Sequence, residues 1–173
     1  MFRENKNHLQ GKLLSTVSHL PKSMKERLSK SWASVFYHQI FKKIDEKKFS
    51  VLYSDKKSRP NFPVNIWVGL EILKELFVWT DEELLNQFHF NLQTCYALGF
   101  EDLGKVTLAD RTLYYHRSRL VKYQGATERD LFKEVFEEIT DEAIELLGIR
   151  TSFQRMDSSL IGSNIRKSYS EGA

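Results

Sequence analysis

Residues 63–88 read PVNIWVGLEILKELFVWTDEELLNQF, and their spacing decides the fold class. Ile66, Leu70, Leu73 and Phe77 recur at intervals of four, three and four, the apolar stripe of a helix that buries one face. Thr80-Asp81-Glu82-Glu83 then has the form of a capping box. A threonine at the helix start can accept from the amide three residues on, while the glutamate there reaches back to the threonine amide. Leu84, Leu85 and Phe88 continue as the buried face of this second helix.

The same periodicity extends outward in both directions. A short helix is predicted over Leu92–Leu98, closed by Gly99 or Gly104. A basic and aromatic helix follows, RTLYYHRSRLVKY over 111–123, ended by Gly125. Thr127 is then expected to cap a long helix to about Leu147, with Leu131, Val135, Ile139, Ala143 and Leu146 as its apolar stripe and an acidic outer face. Upstream, Trp32, Phe36, Ile40 and Ile44 recur at i+4 and predict one helix from Lys22 to Ile44, preceded by a weaker one over 5–18. Pro60 and Pro63 mark 54–63 as a linker. RTSFQRMDSSLI, from Arg150, breaks the helical pattern and reads as an extended segment. The fold class is therefore mainly α, with a short β segment at the C-terminal end. Three parts are expected: a basic helical segment 1–53, a helical domain 54–148 and a distinct region 149–173.

Composition narrows the function classes. Of 173 residues, 41% are hydrophobic and 28% charged, the values of a globular chain rather than a disordered one. No apolar run is long enough to span a bilayer, and the N-terminus lacks the apolar core of a secretory signal. Cys95 is the single cysteine and sits among apolar neighbours, which excludes a disulfide framework or a cysteine-based zinc site and fits a cytoplasmic location. The five histidines show no metal-ligand spacing.

The net charge of +3 conceals an asymmetry. Residues 1–60 hold 14 Lys/Arg against 5 Asp/Glu, and residues 61–173 hold 12 against 18. A basic part beside an acidic one points to a polyanionic partner. Two clusters are candidate DNA contacts. Arg111, Arg117, Arg119 and Lys122 lie on the basic helix and suit phosphate better than bases, because most protein–DNA hydrogen bonds go to phosphate and sugar. Lys42, Lys43, Lys47 and Lys48 could track a phosphate backbone or equally solubilise a helix end. Tyr114 and Tyr115 could pack inside or touch DNA, and Trp32, Trp67 and Trp79 read as core or interface anchors.

The stretch SRPNFPVNIWVGLEILKELFVWTDEELLNQFHFNLQTCYALGFEDLGKVTLADRTLYYHRSRL, residues 58–120, resembles the N-terminal domain of InsH-like insertion-sequence transposases. The elements that carry the likeness are Pro60 and Pro63, the Glu82–Phe88 helix, Tyr96–Gly99, Thr107 and Thr112-Leu113, and Arg117–Leu120. QRMDSSLIGSNI, residues 154–165, is similar to the first active-site strand of the same enzymes. The resemblance covers about residues 50–166. It implies a DDE transposase, in which three carboxylates on a ribonuclease-H-like fold hold divalent metal, Mg²⁺ by its preference for oxygen ligands. Asp157 matches the first of the three, as catalytic residue and metal ligand.

After Asp157 the only acid is Glu171. The chain is therefore expected to be a truncated transposase, inactive alone, with the metal relevant only if other acids are supplied. The implied partner is double-stranded DNA at the element termini. The alternatives are a helical oligomerisation or regulatory domain that binds itself or full-length transposase through the 127–147 stripe, or a relic without function.

Overall fold

The computed structural model describes residues 1–9, 14–54, 60–104 and 106–147. The described residues form seven α-helices: α1 (Lys22–Ser29), α2 (Trp32–Gln39), α3 (Val64–Phe77), α4 (Asp81–Phe90), α5 (Leu92–Ala97), α6 (Asp110–Thr127) and α7 (Leu131–Leu147). Short 3-10 turns at Asn7–Leu9, Phe41–Lys43 and Glu46–Leu52 join them. No strand occurs among the described residues, and the expected β segment, with Asp157, lies outside them.

α3 is the centre of the molecule. Val64–Leu70, Ile72 and Leu73 are all buried, wider than the single stripe that the sequence suggests. Trp67 lies edge-on to Phe49 at 6.0 Å, and Gly69 brings the α3 backbone against Leu98 and Phe41. One core gathers Ala33, Phe36, Phe41 and Phe49 with Trp67, Leu84, Leu98, Leu113, Leu131 and Val135. That core draws residues from both sides of the expected 53/54 boundary.

The first turn of α3 is capped from a distance. Pro63 stands at the N-cap and has no side-chain acceptor to offer. Buried Glu46 accepts instead from the Val64 and Asn65 amides, at 3.2 and 3.3 Å, and from the Asn5 amide at 2.8 Å. The carboxylate thus meets the positive end of the α3 dipole and ties the N-terminal segment to it. Burial nonetheless pushes the Glu46 carboxyl above its usual range, opposed by these amide bonds.

α3 ends in a Schellman turn, with Trp79 N–H donating to Lys74 O at 2.9 Å and Val78 N–H to Glu75 O at 3.4 Å. The left-handed position is held by Val78, at φ 55°, where glycine is usual. The Thr80/Glu83 capping box of α4 forms as the sequence predicts. Gly99, at φ +75°, closes α5, and a Cβ there would stand 2.6 Å from that of His8.

Five details differ from the sequence-based expectation. Among the described residues of 5–18 the helical structure is a 3-10 turn at Asn7–Leu9; Ser15 and Ser18 bond each other, and the Thr16 amide donates to Asp102, so local side chains compete with the helical ladder. The 22–44 stripe is cut at Ser31, which takes an extended N-cap conformation while its hydroxyl donates to Leu28 O. Phe77 is not a core residue but lies at the surface, stacked on Trp79 at 4.9 Å. Gly125 does not end α6, which runs on to Thr127. Asp130, not Thr127, caps α7, accepting from the Phe132 and Lys133 amides. The placement expected for the Ala143 and Leu146 side chains lies outside what is described.

Candidate nucleic-acid interface

α6 has two faces set by its sequence. Leu113 and His116 are buried against the core, and Leu120 and Tyr123 pack partly on it. At about 100° per residue, Arg111, Tyr115, Ser118 and Lys122 fall on the opposite side, and all four are exposed. Arg119 flanks this stripe and is half-buried. No acid interrupts the helix between Arg111 and Lys122.

Arg117 does not belong to this face. Its guanidinium turns toward α3 and α4. It donates from Nε to Glu71 Oε1 at 2.8 Å, from Nη2 to Glu71 Oε2 at 3.1 Å and Asp81 Oδ1 at 2.8 Å, and from Nη1 to Asp81 Oδ2 at 2.7 Å. Lys74 Nζ reaches Asp81 Oδ1 at 2.7 Å. Hydrogen bonds from Arg117 and then Lys74 hold the Asp81 carboxyl well below the usual carboxylate range, and the Arg117 guanidinium is held protonated. Where the sequence suggests a phosphate clamp, four N–H groups of Arg117 fasten α6 to two other helices.

Beside the basic stripe runs a groove of about 600 Å³, with Tyr53, Asn61, Phe62, Arg111, Tyr115 and Arg119 in its walls. The Arg119 guanidinium lies between two rings, 5.0 Å from the Tyr53 centroid and 4.9 Å from that of Tyr115. The Tyr53 hydroxyl is 3.1 Å from His116 Nδ1, and the imidazole stacks on Trp67 at 5.1 Å. Burial, with the Arg119 charge adding to it, lowers the His116 pKa to about 4. Burial also raises Tyr53 to about 12, although the nearby Arg119 charge opposes this. Both groups are neutral near pH 7, so the charge of the groove comes from its arginines.

The four lysines do not form one array. Lys48 is half-buried and ion-paired with Glu138 of α7. Lys47 is exposed and 3.8 Å from Glu4. Lys42 is exposed over the Tyr37 ring at 5.8 Å, and Lys43 is half-buried. Of the apolar stripe of α7, the described residues Leu131, Val135 and Ile139 face the core.

Over residues 23–119, more than half its length, the sequence matches the family described as Transposase domain (DUF772). The chain belongs to that transposase-domain family. The matched region runs from α1 into α6, so the transposase domain contains Tyr53, the Glu71–Asp81–Arg117 network and the groove's described lining apart from Met1. No curated protein and no solved structure matches the chain.

Among the described residues of the transposase domain, no group of three or more His, Cys, Asp and Glu side chains could hold a metal ion. Asp157 lies outside them, and no metal-dependent step is derived. No described helix is long and apolar enough to cross a membrane. Sequence reasoning missed Tyr53, His116 and the two acids that hold Arg117. Glu71 carried a signal, as an acid inside the apolar run of α3 that needs a cationic partner. Tyr53 carried none, because its role depends on a helix about sixty residues away.

Proposed function

We propose that the transposase domain binds double-stranded DNA through the solvent face of α6, with Arg111, Arg119 and Lys122 on phosphates. One observation carries this reading: Arg111 and Lys122 project from one side of an 18-residue helix, with half-buried Arg119 at its flank, along an acid-free stretch. From Arg111 to Lys122 the rise is about 16 Å, at about 1.5 Å per residue, and a helix of ordinary diameter fits the about 12 Å major groove. Each phosphate neutralised releases counterions, so affinity should fall steeply with salt. In this reading the domain grips the ends of an insertion sequence during transposition, and Asp157 is the first acid of the Mg²⁺-binding DDE set.

The test is binding of a labelled duplex across a salt series, with the triple variant R111A/R119A/K122A. The slope of log affinity against log salt should become shallower by about 3 in the variant. Affinity that is flat between about 50 and 200 mM salt, or a variant with an unchanged slope, would sink the proposal.

A further inference from the structure

We propose that the groove beside α6 takes a single unpaired nucleotide of the bound DNA, its base stacked on the face of Tyr115 that Arg119 leaves open and its phosphate held by Arg111 and Arg119. The inference rests on the duplex-binding reading of α6 and adds a second substrate feature to it.

Shape and chemistry agree on this occupant. At about 600 Å³ the groove lies within the range of about 300–1,000 Å³ that holds small-molecule ligands. Its described walls carry two arginines and no acid. By contrast, the cleft on the opposite flank of α6 is lined by Asp81, Glu82 and Asp110 and repels an anion. The Tyr115 ring is 57% exposed and carries the Arg119 guanidinium 4.9 Å from its centroid, so aromatic face and cation stand together. Basic grooves with aromatic platforms are the means by which proteins hold unstacked nucleotides.

A paired base cannot use this groove. Inside a duplex its faces are covered by neighbours and only its edges are open. A base at a bulge, mismatch or frayed end is freed at little cost and can leave the stack. The pocket is also preformed: Tyr53 is tied to buried His116, and Arg119 is sandwiched between Tyr53 and Tyr115.

The test uses the full chain and two labelled duplexes of one sequence, one fully paired and one with a single bulged nucleotide, compared by fluorescence anisotropy. The bulged duplex should bind about tenfold tighter, the size of one base–aromatic stack. Tyr115→Ala should bring the ratio of the two affinities to about one, and Tyr115→Phe should restore it. Circular dichroism melts check that both variants fold. Equal affinities in the wild type, or a preference that survives Tyr115→Ala, overturn the inference and leave the duplex reading standing. No binding to either duplex overturns both.

Discussion

The Arg117 guanidinium and the Asp81 carboxylate meet in two parallel hydrogen bonds of 2.7 and 2.8 Å, joining the middle of α6 to the first residue of α4. Glu71 of α3 takes the adjoining edge of the same guanidinium. All three side chains are under one-third exposed, so the loss of Arg117 strands two carboxylates that water only partly reaches. Arg117→Ala should destabilise the fold by about 2–4 kcal/mol in urea denaturation. Arg117→Lys should recover little of it, because an ammonium cannot fork onto two carboxylates. A loss under about 0.5 kcal/mol would show the network to be ornamental.

Stability should depend on pH in two windows with the same sign. His116 has its folded pKa depressed to about 4, against about 6.5 unfolded. From pH 6.5 downward the unfolded chain takes up a proton that the folded one refuses, and stability falls by roughly 3 kcal/mol by about pH 4. Asp81 is also depressed in the fold, so its contribution is complete above about pH 4 and is lost below it. Urea midpoints measured from pH 8 to pH 3 check both. His116→Phe should flatten the upper window and spare the lower.

Val78 holds a left-handed conformation at φ 55° with its side chain 86% exposed, so it carries strain without burial in return. Val78→Gly should raise stability by about 1–2 kcal/mol, visible as a higher melting temperature. A lower melting temperature would mean that the side chain makes contacts the geometry does not show.

Glu46 accepts from three amides, a task that no donor group can replace. In Glu46→Gln either one amide meets an NH₂ group or the side chain turns away. The expected cost is about 1–3 kcal/mol, with faster hydrogen exchange at the Asn5 amide. Unchanged exchange at Asn5 would refute the tie between Glu46 and the N-terminal segment.

The sequence was legible where structure is local. The α3 stripe as far as Leu73, the α4 capping box and the closure of α5 by Gly99 each rest on residues a few positions apart, and each formed. Failures came where side-chain hydrogen bonds, near or distant, override the periodicity. Ser15, Ser18 and Asp102 replaced a weak helix, and Ser31 divided a longer one. At the candidate site, Arg111 and Lys122 were readable because their face is solvent. Arg117 was not, because the acids that hold it lie 36 and 46 positions earlier in the chain.

The Glu46 anchor also sets an order of events during synthesis. The ribosome releases the chain from its N-terminus, and domains fold as units once their parts have emerged. Asn5 cannot dock until Glu46 and the first turn of α3 are both free, since these complete the carboxylate's ring of donors. Docking of Asn5 is thus a late step, since it waits on partners 41 and 60 positions further along the chain.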